Sequence, residues 1–257
     1  MAGGLPPTET APAALRLEGV GRRFGALAAV AGVSLAVARG ERRAVLGPNG
    51  AGKTTLFNLV CGDFRPTSGR VVLFGEDVTR LKPHGRARRG VGRTYQNSLL
   101  FNGLSVADNL VVAVRGAKPG RFSFRLPSAA DRAAAQRLAE TVRLSHLLGA
   151  EVASLSHGQR RQLEVGMALA CDPRLLMLDE PAAGLSPVER PELMKLLRAL
   201  PRALTLLLIE HDMDVALPLA DMVTVMKDGA VVVEGRPDRI ERDPVVQRIY
   251  LGHGRAH

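Results

Sequence analysis

Gly47-Pro48-Asn49-Gly50-Ala51-Gly52-Lys53-Thr54 fits G-x-x-x-x-G-K-[ST] without a mismatch, and the rest of the chain is best read outward from it. The apolar run Ala44-Val45-Leu46 precedes it and Leu56-Phe57-Asn58-Leu59-Val60 follows, so the stretch lies where a strand turns into a helix. Glycines let the backbone curl until several N–H groups point inward at a phosphate, and a helix start adds partial positive charge. Lys53 supplies a full charge, and the Thr54 hydroxyl can ligate Mg²⁺. A Gly-rich turn that meets a Lys by chance gives such a match in roughly one chain in a hundred of this length. The strand-to-helix context lowers that further and points to a nucleoside triphosphate site.

Composition narrows the class. A length of 257 residues suits one large domain or one with an inserted subdomain, and 46% hydrophobic residues can build its core. The net charge is +10, yet the arginines are spread along the chain, with local clusters only at Arg86-Ala87-Arg88-Arg89 and Arg160-Arg161. No basic segment is interleaved with aromatics for base stacking, so no nucleic-acid partner is expected. Two cysteines, Cys61 and Cys171, read as buried free thiols of a reducing compartment. No apolar run is long enough to span a bilayer. Residues 1–14 are rich in Ala, Pro and Thr and lack the charged start and apolar core of a signal peptide, so they are expected to be a disordered leader. A cytoplasmic location follows.

The strand signals fall into two kinds. Residues 15–20, 34–38 and 70–74 surround the Gly-rich loop and suggest an antiparallel sheet beside it; 15–20 alternates apolar and polar. Leu175-Leu176-Met177-Leu178, the run 205–209 and Val223-Thr224-Val225-Met226 are nearly continuously apolar, as central strands of a parallel sheet are. Leu193, Leu196, Leu197 and Leu200 recur at helical spacing between them. From about 97 to 170 the strand signals thin out, and 129–148 has helical periodicity, which predicts a helical insertion in an α/β domain covering residues 15–257. The tail reads as a strand over 230–234 and a short helix over 237–251.

Two further motifs carry chemistry. Leu175-Leu176-Met177-Leu178-Asp179-Glu180 ends an apolar strand in two carboxylates, at the strand edge where α/β sheets hold ligands. One can help hold Mg²⁺ and the next can orient or deprotonate a water for attack on a γ-phosphate. Leu155-Ser156-His157-Gly158-Gln159 precedes a helix through Cys171, with Ser156 a good N-cap and the helix start an anion site.

With these residues in order, nearly the whole chain resembles the ATP-binding subunit of an ABC transporter. Residues 47–54 are similar to that family's Walker A motif, 175–180 to Walker B and 155–159 to its LSGGQ signature. Gln96, in Arg93-Thr94-Tyr95-Gln96, resembles the Q-loop and His211, in Ile209-Glu210-His211-Asp212, the switch histidine; 181–186 occupies the D-loop. The resemblance implies a P-loop NTPase core with a parallel sheet, an antiparallel β subdomain and an inserted helical signature subdomain. It implies ATP and Mg²⁺ as ligands. Gly47, Pro48, Asn49, Gly50, Ala51, Gly52, Lys53, Thr54 and Thr55 would cradle the phosphates, and Phe24 would stack on adenine. Thr54, Gln96 and Asp179 would surround Mg²⁺, Glu180 would be the catalytic base, and His211 would hold the geometry at the γ-phosphate. Ser156, Gly158 and Gln159 would close on ATP held by a second subunit, so hydrolysis would need a homo- or heterodimer. His157 replaces the first signature glycine and places a side chain near the partner's phosphates; Ser186 stands where many members have Asp.

The wording of Gly92-Arg93-Thr94-Tyr95-Gln96, Glu180-Pro181-Ala182-Ala183-Gly184-Leu185 and Tyr250-Leu251-Gly252 is similar to the branched-chain amino acid importer type. That implies two integral membrane permease subunits, a solute-binding protein acting indirectly, and a place on the inner face of the cell membrane. Relatives serving urea and short-chain amides are the alternative. An ABC ATPase acting on nucleic acid or the ribosome, or one extracting lipid or lipopolysaccharide, belongs to another class. Leu99, Leu100 and Phe101 are expected to face either the helical subdomain's core or a groove for a short helix of a membrane subunit.

Overall fold

Two long strands, β1 (Ala13–Phe24) and β2 (Leu27–Ala38), precede β3 (Arg42–Leu46), α1 (Lys53–Cys61), β4 (Ser68–Leu73) and β5 (Glu76–Asp77). The chain continues through α2 (Pro83–Ala87), β6 (Val91–Arg93), α3 (Val106–Ala117), α4 (Ala129–Thr141) and α5 (His157–Leu169). It closes with β7 (Leu175–Asp179), α6 (Glu189–Ala199), β8 (Thr205–Ile209), α7 (Met213–Ala216), β9 (Met222–Lys227), β10 (Ala230–Gly235), α8 (Pro237–Arg242) and α9 (Pro244–Leu251). This is a computed structural model, and it describes residues 13–95, 99–118 and 126–251. β1 begins at Ala13, inside the stretch expected as a leader, whose first twelve residues lie outside the described ones.

The strands form two sheets. An antiparallel sheet runs in the order β2-β1-β4-β5, and a second runs β10-β9-β3-β8-β7-β6 with only the β10 edge antiparallel. α1 lies between them. Leu56, Phe57, Leu59 and Val60 pack with Leu15, Leu17, Val30 and Val33 on one side and Leu175, Met177, Leu207 and Ile209 on the other. The alternate residues Leu176, Leu178, Leu206 and Leu208 face the core built with α5 and α6. Continuous apolar runs in β7 and β8 therefore serve two cores at once, each fully buried Leu contributing about 1.5–3 kcal/mol. Arg86, 1% exposed, caps the end of α1: its Nη1 donates to the carbonyls of Leu59 and Val60 at 2.6 and 2.7 Å.

Three helix expectations change. The helix expected over 129–148 stops at Thr141, because Arg143 turns to φ +62 and the Leu144 N–H closes back on the Ala139 carbonyl at 2.7 Å; a 3₁₀ turn follows at Ser145–Leu147. α5 ends at Leu169 rather than running through Cys171, since Asp172 takes φ +47 ahead of Pro173. The tail helix is two, divided where Asp243 is extended before Pro244. α6 starts at Glu189 and accommodates Pro191 in its first turn, where an N–H has no intrahelical partner. Cys61 is buried and Cys171 partly so, both free thiols; desolvation pushes Cys61 up to about 12.

Candidate nucleotide site

The sheet places the phosphate loop at its centre. β3 is buried throughout between β8 and β9, and its C-terminal end releases the chain into 47–52. Gly47 has φ +155, and a Cβ there would lie 2.3 Å from the Met226 carbonyl oxygen. Gly52 has φ +93, and its Cβ would lie 2.3 Å from the Ala29 carbonyl oxygen. Only glycine lets the loop nest this closely between β2 and β9. No side chain caps α1, so its first N–H groups face the loop. Lys53, 5% exposed, donates from Nζ to the carbonyls of Gly47 and Pro48 at 2.6 and 3.0 Å. Burial lowers its pKa, opposed by the charges of Glu180, Asp179 and Glu210.

A cleft of about 510 Å³ opens over this loop, lined among others by Phe24, Lys53, Thr54, Thr55 and Glu180. Asn49, Gly50, Ala51 and Gly52 contribute the loop side. Phe24 is 40% exposed at the end of β1, edge-on to Phe64 at 5.5 Å, with the Arg22 guanidinium 4.6 Å from its ring centre.

Glu180 lines the cleft, with Asp179 before it at the end of β7 and His211 beside it after β8. Asp179 ends β7 at 3% exposure, and its Oδ1 has no hydrogen-bond partner among the described residues. Desolvation, then the nearby Glu180, pushes its pKa up to about 6. Such an orphaned buried oxygen suits a cation, and a single carboxylate with a hydroxyl and substrate phosphates is how Mg²⁺ is commonly held. No group of three or more His, Cys, Asp or Glu side chains fit to hold a metal occurs among the described residues. Glu180 sits at φ +45, its N–H donating to the Ile209 carbonyl at 2.9 Å. His211 Nδ1 is 3.5 Å from Glu180 Oε1 and 4.0 Å from Glu210 Oε2.

The signature segment lies elsewhere on the chain. Ser156 caps α5 with a reciprocal pair: its hydroxyl accepts from the Gln159 N–H at 3.3 Å, and its own N–H donates to Gln159 Oε1 at 2.9 Å. None of Ser156, Gly158 or Gln159 lines the cleft over the phosphate loop; all three line another hollow, of about 270 Å³. The His157 ring turns to its own chain, Nε2 lying 3.3 Å from the Ala183 carbonyl oxygen. Gln96 falls outside the described residues.

A family profile described as ABC transporter matches residues 30–183, 60% of the chain. The chain belongs to the ABC transporter family. Among curated relatives, the high-affinity branched-chain amino acid transport ATP-binding protein BraF of Pseudomonas aeruginosa is 40% identical over 248 residues, spanning 93% of this chain and 97% of BraF. LivG of Escherichia coli K12, of the same description, is 39% identical over 250 residues with the same coverages. Among solved structures, the ADP conformation of MJ1267, an ATP-binding cassette of an ABC transporter, is similar with a TM-score of 0.84 and 31% identity, over 93% of this chain and 99% of that one.

Within this ABC transporter chain the structure also brings forward three residues to which the motifs assign no role. Arg161, 9% exposed, donates from Nη2 to the Glu180 carbonyl at 2.9 Å and from Nε to the Pro181 carbonyl at 3.0 Å, while Nη1 pairs with Glu164 at 2.7 Å. It ties the signature helix to the backbone of the strained Glu180. Glu210 is buried with its Oε1 accepting from the Ala182 N–H at 3.2 Å, and desolvation pushes it up to about 7. Its signal was available, since it directly follows the apolar β8 as Glu180 follows β7. Glu189 is the third, bonded to both Ser156 and Gly158; no spacing rule links positions 33 and 31 residues apart.

Proposed function

We propose that this chain is the ATP-binding and ATP-hydrolysing subunit of an importer for branched-chain amino acids. The observation that carries the reading is the 40 and 39% identity to BraF and LivG along 93% of the chain. Lys53 and the amides of 47–54 bind the β- and γ-phosphates, Thr55 lies beside them, and Phe24 offers its exposed face to adenine. Mg²⁺, held by Thr54, Gln96 and Asp179 with phosphate oxygens, would neutralise charge on the triphosphate. Glu180 takes the proton of the attacking water, and His211, within reach of Glu180, orients it.

The separation of the phosphate-loop cleft from Ser156, Gly158 and Gln159 supports a clamp of two subunits, each closing its signature on ATP held by the other. Two integral membrane permease subunits and, indirectly, a solute-binding protein complete the assembly on the inner membrane face. Among the described residues no helix is long and apolar enough to cross a membrane. The permease contact is assigned to the segment at 99–101. Leu99 is 57% and Phe101 48% exposed, whereas Leu100 is buried. Leu99 and Leu100 line a cleft of about 280 Å³ with Tyr95, Ala113 and Met167, a fit for a short apolar helix.

Deleting the gene should abolish high-affinity uptake of radiolabelled leucine and isoleucine, with rescue by the parent chain but not by Glu180→Gln. Unchanged leucine uptake, with urea or acetamide uptake lost instead, moves the assignment to the short-chain amide type.

A further inference from the structure

The N-terminus of α5 is already gripping an anion, and the anion comes from the same chain. Glu189 opens α6, and its carboxylate reaches the signature segment: Oε1 accepts from Ser156 Oγ at 2.7 Å and from the Gly158 N–H at 2.8 Å. Its Oε2 accepts from the Ser186 N–H at 3.1 Å and from Ser186 Oγ at 2.8 Å, which anchors the carboxylate from the D-loop side. Four donors hold it firmly ionised, with a pKa lowered to about 2. The fit is close: a Cβ on Gly158 would lie 2.9 Å from the Glu189 Cβ and 3.0 Å from Oε1.

Ser156 Oγ and the Gly158 N–H are the donors with which the clamp would grip a phosphate on the partner subunit. One carboxylate oxygen now takes both protons, leaving neither for a second anion. A triphosphate brought against the same spot would also meet a like charge within contact distance.

We propose that Glu189 is a resident occupant of the signature anion site, a carboxylate that stands in for the partner-held phosphate while the clamp is open and must swing out for it to close. The inference rests on the clamp reading. The exit is available, because Glu189 is only half-buried and sits in the first turn of α6, where the helix start still favours its charge. Two effects follow from one contact. The occupied site keeps the signature segment shaped for an anion, and the occupant sets a threshold that a weakly charged ligand does not pass.

The test compares Glu180→Gln, Glu180→Gln/Glu189→Gln and Glu180→Gln/Ser186→Ala chains by sedimentation velocity with ATP. Removing the resident charge should tighten the ATP-dependent dimer about tenfold, the expected share of charge-assisted hydrogen bonds no longer broken on closure. Ser186→Ala, which loosens the anchor, should shift it the same way by less. Binding of a fluorescent ATP analogue to the monomer should be unchanged. Thermal melts by circular dichroism confirm the fold, and Glu189→Gln is close enough in shape to keep it. A dimer unaltered or weakened by Glu189→Gln overturns the proposal and leaves Glu189 as a brace of the signature segment. If Glu180→Gln alone forms no ATP-dependent dimer, by itself or with a paralogous ATP-binding subunit, the clamp reading falls and the proposal with it.

Discussion

Replacing Arg161 with Ala removes a guanidinium that holds three partners at once, and both consequences can be sized. Its pair with Glu164 is about one-tenth exposed on each side, 10 and 11%. Deleting one member of such a pair leaves a buried carboxylate uncompensated, at a cost of about 3–5 kcal/mol. The carbonyls of Glu180 and Pro181 lose their donors in the same stroke. Arg161→Ala/Glu164→Ala should recover part of the loss, with a coupling of about 1–3 kcal/mol in urea unfolding. The effect on turnover is separate. Glu180 is held at φ +45, a strained conformation that costs about 1–3 kcal/mol and persists because its carbonyl and N–H are both tied. Freed on one side, the backbone relaxes and carries the carboxylate with it; a displacement near 1 Å lowers kcat by roughly a hundredfold. KM for ATP should stay within about twofold, because Lys53 and the phosphate loop do not touch Arg161. Arg161→Lys keeps the charge but cannot fork to two carbonyls, so it should fall between. Steady-state ATPase assays with urea denaturation decide it. Parent-level kcat in a folded Arg161→Ala chain would refute the positioning role.

Further outcomes are expected elsewhere in the molecule. Glu180→Gln should bind ATP with parent affinity while turnover drops by at least about a hundredfold; retained turnover removes Glu180 as the base. Glu210 is protonated up to about pH 7 when folded but only to its ordinary value near 4.5 when unfolded. The folded state therefore binds more protons between those values, and stability falls as pH rises through that window, by up to about 3 kcal/mol. Glu210→Gln should flatten the dependence, gaining on the parent at pH 8 relative to pH 5 in denaturant titrations; a parallel pair of profiles would refute it. Phe101→Asp should leave soluble ATPase activity intact and uncouple transport, since the Phe101 backbone is already anchored to buried Asn109 at 2.9 and 3.1 Å. Loss of both activities would make Phe101 a structural residue.

The fold is legible in the sequence wherever its chemistry is local. The phosphate loop, the buried parallel strands and the Ser156 cap are written in contiguous residues, and the structure forms each of them. Helix ends are less legible, because Arg143 and Asp172 stop their helices by adopting positive φ, which is uncommon for Arg and, though more frequent for Asp, not dictated by it. Residues acting over distance are hidden for a different reason. Arg161 reads as surface charge on a helix, and only packing of α5 against the end of β7 turns it toward the Glu180 carbonyl. Glu189 likewise looks like an ordinary first-turn acid until α6 is placed beside the signature segment. Contacts between elements far apart in sequence are set by topology, and local patterns do not encode them.

The left-handed backbone at Glu180 has a bearing on how this chain could be engineered. Glycine or asparagine would occupy φ +45 with less strain, so the fold by itself disfavours the residue found there. A library sorted for heat resistance alone would drift away from glutamate at this position and, with Glu180 as the proposed base, deliver sturdy proteins without turnover. Any consensus or thermostabilisation scheme applied to this chain should hold Glu180 fixed and seek its gains elsewhere.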